Sequence, residues 1–472
     1  MRKYVFPILF FVVLGLPFAL RWVAGKQTKL AGGGAEAELV VITANQEGIR
    51  REFADAFSEW HREKYGKPAV VHYLHYGAAE IVKYFDAAGS QLKVDAVWGG
   101  GDYLFDQQLK KPGYLEPVDL GAEFLREVYP KADLGGVALY DPGKPPTWFG
   151  TSLNSFGIVY NKDVLKYLGV GEMRTWRDLS DPKLMGWVAL ADPTRSSSAK
   201  QTFMVIVERA MADAAEQGRS EDEGWAEGMG LIRLIAANVR IFTESSSIVP
   251  IMVSTGDAGA GMAIDFYGRS QAGAVGDARM GYVEPVGATI MNPDPIAVVK
   301  GAAHRETAIR FIQFVLSEKG QRLWNTRPGA PGGPKQTAIR RLPIRESVFA
   351  EMRDFTDQVN PYKAAGGFNK SNAREKTWGV LGELIEASCI SLLEELRETR
   401  KAILASPRAK ELDAKLGRFP FDQKEALRRF EEWKKAPAGR RLEVKRRWEA
   451  EFREEYRRLK EAAERGTTDA HR

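Results

Sequence analysis

Glu38-Leu39-Val40-Val41-Ile42-Thr43 is an unbroken apolar run between turn signals, with a Gly-rich stretch at 31–37 before it and Ala44-Asn45-Gln46 after it. A run this short without polar alternation fits a strand buried on both faces, as parallel sheets require. Just beyond it, Ile49, Phe53, Phe57 and Trp60 recur at helical spacing through Glu47 to Tyr65. A second strand, Ala69 to Leu74, gives way at Tyr76-Gly77 to a helix with Ile81, Tyr84 and Phe85 on one side, and a third, Val94 to Trp98, runs into Gly99-Gly100-Gly101-Asp102. Strand and helix alternating with short polar joints predict a doubly wound α/β sheet, whose ligands sit at the carboxyl ends of the strands.

The alternation restarts further on. Gly157 to Tyr160 and Trp187 to Ala191 read as strands, Lys200 to Ala215 as a helix, and Ala258 to Ile264 and Pro295 to Val299 as two more strands. Arg305 to Leu316, with Ala308, Phe311, Ile312 and Val315 on one stripe, is a helix packed on a sheet. Two α/β sets in one chain predict two lobes, and ligand sites favour the cleft between such units.

The 472 residues are 44% hydrophobic, 28% charged and 10% aromatic, which excludes a disordered tail, a collagen, a disulfide scaffold and a polytopic membrane protein. The net charge of +6 invites a nucleic-acid reading, but residues 401–472 hold 21 Lys and Arg against 14 Asp and Glu, leaving 47 against 48 before them. A body that bound nucleic acid would carry a basic face of its own, so no nucleic-acid partner is expected. Cys389 is the one cysteine, so an intrachain disulfide and a cysteine-built metal cluster are excluded, and its apolar neighbours mark it as a core residue.

Arg2 and Lys3 precede the apolar run Tyr4 to Leu20, the pattern of an export signal. The positive start stays in the cytoplasm and the body crosses, which places the protein in the periplasm or another extracytoplasmic space. The run is at the short limit of a membrane span, so 1–25 is a signal peptide or an N-terminal anchor in the inner membrane. At the other end, Trp448, Phe452 and Tyr456 are four apart on one helix face and Glu449–Arg453 and Glu454–Arg458 offer ion pairs at the same interval. This reads as a solvated helix laid on the body, with docking on a partner or an anionic lipid surface as the alternative.

Ala191-Asp192-Pro193-Thr194-Arg195-Ser196-Ser197-Ser198-Ala199 leaves a strand and opens a helix. Hydroxyls and free amides at a helix start make an anion site, although capping alone would also place serines there. Thr243-Glu244-Ser245-Ser246-Ser247 repeats the theme. Gly99-Gly100-Gly101 lacks dinucleotide spacing and no Walker motif occurs; the glycines let backbone approach a ligand or make a tight turn. Neither a Gly-x-Ser-x-Gly elbow nor His-Glu-x-x-His is present, and His72 and His75, three apart, face different ways.

Taken together these segments resemble the extracellular solute-binding proteins of ABC importers, in the branch containing ferric-iron-binding periplasmic proteins and relatives for phosphorylated sugars and organophosphonates. The resemblance rests on Val40 to Asn45, Val94 to Gly99, Gly157 to Lys162, Trp176 to Leu179, Asp192-Pro193-Thr194 with its serines, Asp265-Phe266-Tyr267, and Phe311 to Trp324. It covers 38–400 and implies a two-lobed type II periplasmic-binding-protein clamshell of the α/β class, with lobe one at 38–150 plus 287–335 and lobe two at 151–286 plus 336–403; a linker at 26–37 precedes it, and a charged helical extension at 404–472 lies outside the resemblance.

The function so implied is capture of a small polar or anionic solute and its delivery to an ABC permease in the inner membrane, with no cofactor and no catalysis. By the same resemblance Thr194, Ser196, Ser197, Ser198 and Ser246 would donate to an anion, Asp102 and Asp265 would accept from hydroxyl or amine groups, and Tyr76 or Tyr267 would stack, with Gln46, Gly77 and Gly100 completing the cleft. The iron-binding relatives use two consecutive tyrosines, which fall here on Phe266 and Tyr267; one phenolate is a poor ferric site, so iron ranks behind an anion or polyol. A membrane-tethered sensor and an exported hydrolase are the rival readings.

Overall fold

The computed structural model describes residues 37–89, 91–364 and 373–470, so the export segment and most of the linker lie outside the described residues. Among the described residues no helix is long and apolar enough to cross a membrane.

The first lobe begins with β1 (Ala37–Thr43), β2 (Ala69–His75), β3 (Ala96–Trp98) and the short β4 (Leu115–Glu116), then a small hairpin of β5 (Asp133–Leu134) and β6 (Val137–Ala138), then β7 (Phe149–Asn154). The second lobe holds β8 (Phe156–Asn161), β9 (Val188–Ala191), β10 (Val239–Thr243), β11 (Ala260–Ile264) and β12 (Met280–Val283), after which β13 (Asn292–Val299) and β14 (Leu342–Pro343) return to the first. The first sheet runs β14-β7-β13-β3-β1-β2, with β4 on β13; the second runs β10-β9-β11-β8-β12. β1 lies parallel to β2 and β3, whereas β13 enters antiparallel between β3 and β7, so each sheet is mixed rather than all-parallel. Pro293 and Pro295 cannot donate to the ladder, and the register slips between Asp294 and Pro295.

The run that opened the reading is buried as expected, with Leu39, Val41 and Ile42 fully inside. Phe53 and Phe57, from the helix Glu47–Tyr65, meet Trp98, Phe311, Phe314 and Trp324 in one aromatic cluster with ring centroids 4.5–6.2 Å apart. Each such ring contributes about 1.5–3 kcal/mol of burial, which fixes the first helix and the helix Arg305–Leu316 on the same face of the sheet.

The lobe boundaries differ from the sequence expectation in two places. β7 stays on the first sheet through Asn154, because Asn154 pairs with Asn292, so the chain crosses at Ser155 rather than after 150. Residues 336–364, expected in lobe two, belong with lobe one: Leu342 and Pro343 pair with Leu153 and Ser152, and Tyr362 packs on the first core and donates to the Ile344 carbonyl. The chain crosses again between β12 and β13, and the helix Ala373–Ile385 then packs on the helix Ser197–Glu216 of lobe two.

Past the helix Leu393–Ala405, the extension forms the helices Ala409–Leu416, Gln423–Lys435 and Ala438–Ala470. Its aromatic stripe faces the body: Trp448, Phe452 and Tyr456 are at most 3% exposed, and the Tyr456 hydroxyl donates to the Ser388 carbonyl at 2.6 Å. The backbones come close enough that a Cβ on Gly230 would sit 1.9 Å from the Gly417 carbonyl oxygen. Cys389 is buried in this core, and burial pushes its thiol up to about 11, so it is an inert apolar filler.

Candidate functional site

The carboxyl ends of β1 and β3 make one wall of the cleft. The Thr43 hydroxyl donates to the Trp98 carbonyl at 2.7 Å and accepts from the Asn45 amide at 3.0 Å, which turns Asn45 and Gln46 out at the strand end. Beside them Gly99, Gly100 and Gly101 all have positive φ, 83°, 107° and 88°, a path that side chains resist. Their amides are not free for a ligand, because Gly100 and Gly101 donate to Asp294 Oδ1 at 2.9 and 3.1 Å. The glycine turn is therefore a cradle for a buried carboxylate of this chain, which corrects the expectation for Gly100. Gly100→Ala should lower the melting point, since the residue would carry about 1–3 kcal/mol of backbone strain and its Cβ would lie 2.7 Å from Leu104 Cδ2. An unchanged melting curve would show that the turn relaxes.

The other Asp294 oxygen holds the Arg341 guanidinium, which is buried and lies 4.2 Å over the Phe266 ring of the opposite lobe. Around this pair are buried amide atoms with no partner among the described residues: both ends of Asn45, and Oδ1 of Asn154 and of Asn292. Unpaired buried polar atoms cost about 1–3 kcal/mol each, so a cluster of them at strand ends marks where ligand or water belongs. Asp102 is 8% exposed and accepts from the Tyr103 amide at 3.0 Å and from Asn292 Nδ2 at 3.4 Å.

The opposite wall comes from the second sheet. Ser196 caps the helix Ser197–Glu216, accepting from the Ala199 amide at 3.3 Å, and its hydroxyl reaches Ser198 Oγ at 3.2 Å, which in turn meets Ser246 Oγ at 2.6 Å. Ser198 and Ser246, with Thr202, Phe203 and Met262, line a recess of about 230 Å³ including its mouth. Three of the expected hydroxyls thus converge. Thr194 does not join them, for its amide and hydroxyl both go to Asp192 Oδ1 at 2.8 and 2.7 Å, and Ser197 is exposed.

Three contacts close the cleft. The Gln46 side chain lies beside the Tyr267 hydroxyl, which burial pushes up despite the nearby Arg341; Arg341 covers Phe266; and Tyr103 stacks on Trp378 at 4.7 Å. Lys200, in the first turn of its helix, has its ammonium 5.7 Å from the Trp378 centroid. Burial drives its pKa down, while Glu383 and Asp192 oppose that, and Glu383 is itself held by Lys445 at 2.6 Å.

The remaining expected residues are Gly77, Tyr76 and Asp265. Gly77 caps the helix Ala78–Ala88 and spends its amide on Glu80 at 2.9 Å; Tyr76 is 39% exposed against Tyr84. Asp265 is fully buried at the crossing between lobes, not on the cleft wall, because its amide donates to the Ser155 carbonyl at 3.0 Å and starts the helix Asp265–Val275. Among the described residues no three His, Cys, Asp or Glu side chains are grouped to hold a metal ion. Asp294, Arg341, Lys200 and Trp378 were not singled out by sequence; the basic pair Arg340-Arg341 after a Pro/Gly-rich loop was the available signal.

The model of the bacterial extracellular solute-binding protein family matches residues 102–356, and the chain belongs to that family. It is similar to iron uptake protein A1 of Synechocystis sp., 27% identical over 225 residues that are 45% of this chain and 56% of the relative. It is also similar to phosphoglycerate transport regulatory protein PgtC of Salmonella typhimurium, 25% identical over 178 residues, 38% of this chain and 40% of the relative. The chain spans about half the length of the curated relatives it matches. In structure it is similar to iron-bound HitA from Pseudomonas aeruginosa, with 18% identity, a TM-score of 0.50, and coverage of 76% of this chain and 99% of that one, a likeness of fold.

Proposed function

We propose that this chain is the solute-capturing component of an ABC importer, taking a small anion with a phosphate, phosphonate or carboxylate group into the cleft and delivering it to an inner-membrane permease from the periplasmic side. Lys200 carries the proposal: it is a half-buried cation with no carboxylate within ion-pair distance among the described residues, on the helix whose start brings Ser196 and Ser198 together with Ser246. Burying an ammonium without a partner is costly, and an anion bridging it to the hydroxyls removes that cost. The name of the Salmonella relative points to the same ligand class. The iron-named relatives point to ferric ion, but here the hard oxygen donors are scattered and the cation Arg341 sits on Phe266.

Ligand closing the lobes shifts an open-to-closed equilibrium through its greater affinity for the closed form. A thermal-shift screen with phosphosugars, phosphoglycerates, phosphonates, polyols, polyamines and ferric ion tests the class, since ligand at 100 times its dissociation constant adds about 2.7 kcal/mol. Phosphorylated or carboxylated compounds should raise the melting point; a rise with ferric ion alone would reverse the ranking. Lys200→Met should weaken binding of the responding anion by about 10- to 100-fold, the loss of one charge-assisted hydrogen bond, without lowering the apo melting point. Titration calorimetry showing equal affinity for both proteins would remove Lys200 from the site.

A further inference from the structure

The formal net charge of the chain is +6, and residues 424–447 alone hold ten Lys and Arg against four Glu, which is also +6. These residues form the tip where the helix Gln423–Lys435 turns at Ala436-Pro437 into the helix Ala438–Ala470. On the inner side of the tip the charges are matched. Lys445 reaches Glu383 and Glu386 at 2.6 Å each, Arg429 reaches Glu425 and Glu451 at 2.8 and 2.5 Å, and Arg447 reaches Glu432 at 2.6 Å.

On the outer side they are not. Lys434, Arg440 and Arg446 are exposed and have no carboxylate within ion-pair distance among the described residues, and Lys435, 79% exposed, comes only within 3.9 Å of Glu431. Arg441 is turned back onto the tip, donating to the Lys434 and Ala436 carbonyls at 3.1 and 3.2 Å. Between these cations stands Leu442, 57% exposed, two residues before buried Val444 and four before Arg446, and therefore on the outward stripe. Further along the same helix the solvated face is neutralised in the ordinary way: Arg453 pairs with Glu395, Arg457 with Glu454 and Glu461, and Arg458 with Glu454. Among the described residues the tip is where unmatched cations gather around an exposed leucine.

We infer that the 424–447 tip is a docking surface for an anionic phospholipid membrane. A convex turn with outward cations suits the plane of a charged headgroup layer, where each basic side chain is worth about five-fold in partitioning and Leu442 can enter the headgroup boundary. The outward side offers no exposed aromatic for stacking on bases, since Trp433 is packed between Phe430 and Arg441. The tip belongs to the extension and shares no residue with the cleft, so it can hold the membrane whatever the ligand is.

The test is cosedimentation of the full chain with vesicles of phosphatidylglycerol and phosphatidylcholine, compared with vesicles of phosphatidylcholine alone. Binding through the N-terminal run, whose Arg2 and Lys3 also favour anionic lipid, is common to the wild type and the variant below, so the difference between those two proteins reports the tip. The inference expects at least about a hundred-fold preference for the anionic vesicles at low salt, lost in 0.5 M salt as a screened interaction must be. The quadruple variant Lys434→Glu, Lys435→Glu, Arg440→Glu, Arg446→Glu should lose that preference and keep the wild-type melting point, because none of the four contributes a buried contact. Equal binding to both lipid mixtures, an anionic preference undiminished in the quadruple variant, or retention by heparin or DNA in place of the anionic vesicles would each overturn it.

Discussion

Arg233→Ala should lower the free energy of unfolding by about 3–5 kcal/mol. Arg233 is completely buried in the helix Glu221–Ala236, and its guanidinium reaches Glu455 Oε2 at 2.8 Å and the carbonyls of Leu416 and Arg418 at 2.6 and 2.8 Å. It also lies 5.4 Å from the Phe419 ring centroid and 5.8 Å from that of Tyr456. One side chain thus ties lobe two to three segments of the extension. Alanine would leave two buried carbonyls without donors, strand Glu455, and open a cavity beside Tyr456. Urea unfolding should show the loss, and limited proteolysis should cut the variant within 404–472 before the body. Arg233→Met, which keeps much of the volume, should recover only the packing part. A loss under 1 kcal/mol with an uncut extension would mean that the extension is held by its aromatic stripe alone.

This dependence on Arg233 shows which features a sequence can display. The strand at Leu39–Thr43 and the stripe of Trp448, Phe452 and Tyr456 were legible because each is a periodic pattern within one segment, and burial follows period. The serine-rich helix start was legible for the same reason, and Ser196, Ser198 and Ser246 do converge. Long-range pairings were not. Gly99-Gly100-Gly101 reads as free backbone until Asp294, some 194 residues later, takes two of its amides, and nothing around Asn292-Pro293-Asp294-Pro295 marks the aspartate as the one that turns inward. Lys200 reads as an ordinary helix lysine until Trp378 covers it. Asp265 reads as a cleft acceptor from its neighbours along the chain, and the fold buries it at the crossing between lobes. The lobe boundary at Ser155 was displaced for a related reason: β7 and β8 are separated by a single residue, and no composition change marks where one sheet ends and the next begins.

That crossing gives the second large effect, a dependence of stability on pH. Asp265 has no exposed surface, and among the described residues neither of its carboxylate oxygens has a side-chain hydrogen-bond partner. Arg269 lies 3.8 Å away, yet its guanidinium is committed to Glu284, which also accepts from Ser155 Oγ at 2.6 Å; Arg341 and Tyr282 complete the surroundings. Burial therefore pushes the carboxyl up to about 7, with Glu284 adding to the rise and Arg269 and Arg341 opposing it. A carboxyl raised in the folded chain above its ordinary 3.8 binds its proton more tightly folded than unfolded, so the stability it contributes is present at low pH and is lost as pH climbs from about 4 to about 7. The full span is on the order of 4 kcal/mol for a shift of this size. Asp265→Asn cannot ionise. It should therefore be more stable than the wild type at pH 8, and the gap should narrow steadily as pH falls and vanish near 4. Melting points of the two proteins across this range decide the matter: parallel curves would show that Asp265 is ionised and paired with Arg269 throughout. Because Asp265 sits where the chain passes from one lobe to the other, any opening that hydrates the carboxyl favours its charged form. The same titration should then weaken closure, and with it solute affinity, as the medium becomes more alkaline.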